Sequence, residues 1–387
     1  MKAPRGFWVV WTAVAVDLLS FGIVIPLLPL YADSFGASPA AIGLILASYS
    51  VAQLLLAPFW GRLSDRLGRR PVLLVTLAGS TLGSLVLGLA GSIPMLVVGR
   101  IIDGASGASV ALARTVVADI ASPEHRSRLM GLLGAAFGVG FVVGPGVGAA
   151  ARLLGPGVPF LVAAAISLLN LIVAIWRLPE TKPRQEKSTD VPLRPPLPSR
   201  VRRLVAANLV AVTGFSIFEA TFALAGQRRL GWSDSLIALI FAGLGLLIAI
   251  TQGLMVGRLT SRLGEARLLP IALVVNGLGL LGLGTADGPV LLLLSVAVLA
   301  VGQGLAVPSM AALVAAAAPT DGAGAALGAH QSSNGLGRVI GPVVGGALLA
   351  VALPLPFLAA AFLMAGAAFV CRTHDARVVA ARGGRLS

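Results

Sequence analysis

The sequence predicts an all-α membrane protein of twelve transmembrane helices in two pseudo-symmetric six-helix bundles. Three observations carry that expectation. The 387 residues are 57% hydrophobic and only 11% charged, too few polar side chains to cover a water-soluble globule. The apolar residues fall into twelve stretches, each near the roughly 20 residues of helix that cross about 30 Å of hydrocarbon. Two motifs of the first half return in the second at almost one offset.

The spans read near 7 to 31, 40 to 60, 71 to 91, 93 to 116, 129 to 151 and 158 to 177, then 203 to 225, 235 to 256, 268 to 286, 289 to 315, 325 to 350 and 354 to 371. The 48 glycines suit membrane helices whose backbones approach closely. The first stretch follows Lys2 and Arg5 like a signal peptide. It is too long for one, carries Asp17, Pro26 and Pro29, and is read as a retained span. Between the sixth and seventh stretches, Pro179, Pro183, Pro192, Pro195, Pro196 and Pro198 lie among mixed charges, the composition of a flexible linker. The expected organisation is a bundle over 1–177, a cytoplasmic linker over 178–202, and a second bundle with a basic cytoplasmic tail over 203–387.

The net charge of +14 does not form a nucleic-acid surface, because the basic residues cluster between apolar spans. Alternate loops hold nearly all of them, leaving only Arg152, Arg228 and Arg229 on the other side. That asymmetry predicts both termini in the cytoplasm of a multi-pass protein of the cell inner (plasma) membrane. All five tryptophans fall at or next to span ends, the headgroup level that indole rings favour. Cys371 is the one cysteine, so an intrachain disulfide and a thiol metal site are both excluded.

Gly61-Arg62-Leu63-Ser64-Asp65-Arg66-Leu67-Gly68 reappears as Gly257-Arg258-Leu259-Thr260-Ser261-Arg262-Leu263-Gly264, 196 positions on. Gly140, Gly144, Pro145 and Gly148 reappear as Gly337, Gly341, Pro342 and Gly345, 197 positions on. Two unrelated motifs at nearly one offset imply duplication of a six-span unit. Parallel repeats of that size around a midplane site are a transporter architecture.

These residues resemble the major facilitator superfamily, and within it the twelve-span drug/proton antiporters of the tetracycline-exporter and multidrug-exporter type. Gly61, Asp65, Arg66, Gly68, Arg69 and Arg70 match the signature between spans two and three. Read physically, glycines at both ends permit a sharp reversal and Asp65 pairs with the arginines or a helix N-terminus; the resemblance implies a gate. Gly140, Gly144, Pro145 and Gly148 match the antiporter signature, with Ala149 in place of a final glycine. Glycines four apart let a second backbone approach, and the proline removes a hydrogen bond. Arg100, Asp103, Gly104 and Gly107 share a face of span four, and Leu178-Pro179-Glu180-Thr181 closes span six as in the family.

Charged groups in lipid need a purpose or a partner. Asp17 lies about 15 Å into span one by helical rise and matches the first-span acid of such exporters. Glu219 stands in span seven, where some multidrug exporters carry a glutamate. Both are candidates to load and release a proton, against the alternative of a static contact between helices. Arg100 and Asp103 are expected to satisfy each other or to serve as a coupling switch, Arg338 to neutralise a buried acid, and His330 to be a packing residue.

Tetracycline exporters carry an acid in span three and a histidine in span eight, where this chain has Gly83 and Ile248. The expected substrate is therefore a small, largely apolar molecule rather than a metal-chelated one. The expected partners are that substrate, protons and membrane lipid, with no nucleic acid, no cofactor and a monomeric state. A proton-coupled importer of a sugar or organic acid on the same fold is the alternative, although Asn208, Gln227, Gln252, Asn276, Gln303, Gln331 and Asn334 are few polar groups for such a ligand. A membrane enzyme lacks a metal spacing, a phosphate loop and a nucleophile elbow, and a scaffold is disfavoured by the short loops.

Overall fold

A computed structural model describes residues 7–120, 123–178, 180, 197–319 and 323–383. Fourteen α-helices and one π turn make up its regular structure. In the first half these are α1 (Phe7–Ser34), α2 (Pro39–Leu67), α3 (Arg69–Gly88), α4 (Ile93–Ser106), α5 (Ser109–Ile120), α6 (Pro123–Arg152) and α7 (Val158–Arg177). In the second they are α8 (Ser199–Leu230), α9 (Asp234–Ile250), a π turn (Thr251–Met255), α10 (Val256–Leu263), α11 (Glu265–Thr285), α12 (Pro289–Ala317), α13 (Ala323–Val351) and α14 (Leu355–Gly383). Twelve helical stretches are long and apolar enough to cross a membrane; α4 with α5, and α9 through α10, each form one of them.

Helix ends follow from local chemistry. Ser38 caps α2 by accepting the Ala41 amide at 3.3 Å, with Pro39 in the first turn, where its missing N–H costs nothing. Large apolar side chains such as Leu55, Leu169 and Phe362 face outward, as a lipid solvent requires.

The repeated Gly61–Gly68 segment differs from its expected form. It is helix, not loop: α2 continues through Leu67, and Gly68 alone makes the turn at φ 101°. Gly61 is exposed with open space around it, so it is no turn residue. Gly264 at φ 72° does the same between α10 and α11. Only a residue without a Cβ takes this backbone cheaply, which is why each motif ends in glycine.

About ten residues before each turn, the helical hydrogen-bond ladder is interrupted. In α2 the defect is Pro58, which has no N–H for the carbonyl one turn back. In the second half it is the wide turn over Thr251–Met255, where Val256 N–H bonds to Thr251 O. Subtracting the 196-residue offset places this turn over 55–59, the segment that contains Pro58. An arginine stands over both defects: Arg62 Nε donates to Pro58 O at 3.2 Å and Arg258 Nη1 to Leu254 O at 2.7 Å. The two halves place a weak point at equivalent positions by different chemistry.

The chain forms two compact units, one of residues 1–187 with Phe222–Gly245 and one of Ser188–Thr221 with Leu246–Ser387. In the first, α1 packs along α6 and α7, and α3 along α4 and α7. In the second, α11 packs between α12 and α14. Most of the Pro-rich linker, 179 and 181–196, lies outside the described residues, as do Lys2 and Arg5.

Candidate functional site

In the first unit, α1, α2, α3 and α4 bring polar side chains to one small cavity. Its lining includes Asp17, Ser20, Tyr49, Ser80, Ser84 and Asp103. The helices reach one another because small residues separate them. A Cβ on Gly83 would lie 2.7 Å from Asp103 Cβ, and one on Gly79 would lie 2.7 Å from Ser106 Cβ. These glycines, four apart, let α3 and α4 meet backbone to backbone. Gly104 likewise admits α2, since its Cβ would fall 2.7 Å from Tyr49 Cα.

Span four, expected as one continuous helix, is broken at Gly107 and Ala108. Gly107 N–H bonds to Gly104 O at 3.0 Å, and Gln53 on α2 donates to Gly107 O at 2.5 Å. Restarting the helix at Ser109 puts its hydroxyl on Asp17, to whose Oδ2 it donates. Asp17 is therefore a hydrogen-bonded carboxylate. Ser80 Oγ donates to Asp103 Oδ1 at 3.1 Å, and Arg100 Nη1 meets Asp103 Oδ2 at 3.4 Å. The Arg100 guanidinium lies 4.3 Å from the centre of the Tyr49 ring, an attractive placement for a buried cation. Arg100 is 4% exposed, and its Nε has no hydrogen-bond partner. Phe21 stands beside Tyr49, with ring centres 5.3 Å apart, so one wall is aromatic.

Gly83 changes the meaning of the missing span-three acid. The glycine does not leave the region without a carboxylate. It makes room for Asp103, which supplies one from the neighbouring helix.

The antiporter-like glycines lie along α1. A Cβ on Gly140 would fall 2.6 Å from Leu18 C, and one on Gly144 would fall 2.9 Å from Gly22 Cα. At Gly148 the nearest atom is the end of the Leu27 side chain at 3.0 Å, a looser fit. Pro145 belongs to the same seam, its Cδ 3.3 Å from the Cβ position of Gly22. In the second unit the pattern recurs: Gly337 faces Val212 and Thr213, Gly341 faces Ser216, and Gly345 faces Ile217 and Thr221, all on α8. Pro342 lies within α13. Glu219 is on α8 and Arg338 on α13.

The signature between spans two and three forms a charge cluster. Arg69, nearly buried, donates to Asp65 Oδ1 at 2.6 Å, Ser64 Oγ at 3.1 Å and Asp119 Oδ2 at 3.1 Å. Glu180 Oε1 accepts the Arg69 amide at 2.9 Å, which caps the N-terminus of α3. Arg70 reaches Ile175 O at 2.6 Å, while Arg66 is exposed. Two further ion pairs belong to the first unit: Arg152 Nε with Asp234 Oδ2 at 2.6 Å, and Arg228 Nη2 with Asp33 Oδ1 at 2.7 Å.

Sequence reasoning missed Ser80, Ser109, Tyr49, Asp119, Asp33 and Asp234. A signal existed for the first: Ser80 and Ser84, four apart beside Gly79 and Gly83, mark a small polar face in an apolar span. The ion-pair partners left none, because each pairs across a long separation.

The sequence profile of the Major Facilitator Superfamily matches residues 10–225 and 204–383. The class B tetracycline resistance protein of Escherichia coli is 30% identical over 360 residues, 88% of this chain and 87% of that one. Multidrug resistance protein 2 of Bacillus subtilis is 27% identical over 369 residues, 92% of each chain. The crystal structure of the human organic anion transporter MFSD10 (TETRAN) superimposes with a TM-score of 0.75 at 26% identity, covering 96% of this chain and 100% of that one. With twelve apolar helices, glycine seams in both halves and these relatives, the chain is an integral membrane transporter, not an enzyme, and belongs to the major facilitator superfamily.

Proposed function

We propose that this protein exports small, largely apolar molecules from the cytoplasm in exchange for protons, exposing its site alternately to the two sides of the membrane. The observation that carries the reading is the Asp17 cavity: two carboxylates line it, and the Arg100 guanidinium pairs with one of them, within an apolar helical unit. Its formal charge is one negative, so a single proton neutralises it, and a carboxylate whose hydration changes through the cycle can take up and release that proton. The tetracycline and multidrug resistance relatives support export. The proposal includes an inner-membrane location, both termini cytoplasmic, and the 1–177 and 203–387 halves as its working bundles.

The test uses inverted membrane vesicles containing the protein and energised by respiration. Apolar cations, macrolide-like compounds and sugars are added in turn, and proton release from the lumen is followed with a pH-sensitive dye. Release on adding an apolar compound, absent from vesicles lacking the protein, is the expected result. Release confined to sugars, or none while labelled compound still accumulates, would overturn it.

A further inference from the structure

Ser80 stands between two acids carried by different helices. Its hydroxyl donates to Asp103 Oδ1 at 3.1 Å and faces the cavity that Asp17 also lines. It is 6% exposed, and it shares its cavity with both carboxylates.

A serine has one O–H and donates to one carboxyl group at a time. With both acids ionised, the second carboxylate would face only the lone pairs of Ser80 Oγ. With one acid protonated, its O–H donates to Ser80 Oγ while the Ser80 O–H donates to the other acid, and the line is satisfied throughout. The outer ends are already occupied, Asp17 by the Ser109 hydroxyl and Asp103 by Arg100. Charge gives the same count, since two carboxylates and one guanidinium are neutralised by one proton.

We infer that Ser80 is the relay through which Asp17 and Asp103 hold a single proton in common. This rests on the proton-exchange reading of the site. In the transfer, the protonated acid gives its proton to Ser80 Oγ as Ser80 passes its own to the other carboxylate. Serine ends as it began, one acid is ionised and the other neutral, and the two hydrogen bonds have reversed direction. No further reactant is needed. Gly83 is what allows the line to form, because any side chain there would push Asp103 and α4 away from α3.

The other groups around Asp17 are accounted for. From α4 come Arg100 and Asp103, from α2 Tyr49, and from α5 Ser109, with Arg114 further along that helix. The charged residues of α6 and α7 lie towards the helix ends.

The test needs no substrate. Purified protein in liposomes is titrated while the C=O band of protonated carboxyl groups is followed by infrared difference spectroscopy. Wild type is compared with Asp17→Asn, Asp103→Asn, Ser80→Ala and Ser80→Thr. The expected result is one shared carboxyl band whose midpoint both Asn variants move. Ser80→Ala should shift that midpoint by about one pH unit, a tenfold change in proton affinity, and Ser80→Thr, which keeps the hydroxyl, should restore it. A Ser80→Ala protein that titrates like wild type, or a folded Ser80→Thr protein that titrates like Ser80→Ala, would overturn the relay. If wild type shows no band that Asp17→Asn alters, the proton-exchange reading itself fails, a different outcome from loss of the relay alone.

Discussion

Glu180 caps the helix that Arg69 begins: its carboxylate accepts the Arg69 amide at 2.9 Å and leans over Gly68, whose Cβ, if it had one, would fall 2.8 Å from the same oxygen. The contact joins residues 111 positions apart. The acid needs the bare backbone of Gly68 to reach the Arg69 amide. Glu180→Ala should therefore cost about 1 kcal/mol of stability, as a lost N-cap does, and lower the temperature at which detergent-solubilised protein aggregates. Glu180→Gln should lose less, because an amide oxygen still accepts the hydrogen bond. Equal stability of Glu180→Ala and wild type would show the cap to be incidental.

The glycine seam between α6 and α1 makes a graded prediction. Gly144→Leu places a large side chain where a single Cβ already meets Gly22 Cα at 2.9 Å, so transport should be abolished while membrane insertion persists. Gly148→Ala meets only the flexible end of Leu27 at 3.0 Å and should retain most activity. Gly146→Ala enters open space and should behave as wild type. Transport assays with surface-expression controls separate the three, and equal loss at Gly146 and Gly144 would disprove the seam.

Arg152 and Asp234 form a half-buried ion pair at 2.6 Å, supported by Ser235 Oγ donating to Ala149 O at 3.0 Å. Reversing either charge places like charges together on α6 and α9. Arg152→Asp or Asp234→Arg alone should lower thermal stability and transport, and the double exchange should recover both. A coupling of about 1 kcal/mol is expected from a double-mutant cycle. Additive losses would mean the pair contributes nothing specific.

What the sequence made legible has a physical basis. Twelve spans could be read because lipid demands long apolar runs, and Asp17 because a charge in such a run stands out. The fate of the Gly61–Gly68 segment could not be read. Arg62, Leu63, Ser64 and Asp65 are compatible with helix, and only the backbone at Gly68 decides where the turn falls. The break in span four depends on Gln53 holding the Gly107 carbonyl from another helix. Ser80 and Ser109 look like ordinary small residues of membrane helices until packing sets them against the two acids. Gly83, read from the sequence as a lost carboxylate, proves to be the space that Asp103 needs.

Asp17 carries the strongest functional prediction. Asp17→Asn keeps the shape of the side chain and can still accept from Ser109, but it no longer exchanges a proton. Gradient-driven export should be lost, while equilibrium binding of a neutral ligand stays within about tenfold of wild type. Asp17→Glu should keep part of the activity, because the titrating group survives although it is displaced by one methylene from the Ser109 hydroxyl. Removing the Ser109 side of that contact gives a further check. Ser109→Ala should weaken the Asp17 site without abolishing export, since Ser80 still lines the same cavity. If Asp17→Asn accumulates substrate against a gradient at the wild-type rate, the exchanged proton belongs to Asp103 or Glu219, and Asp17 serves only to hold α1 against α5.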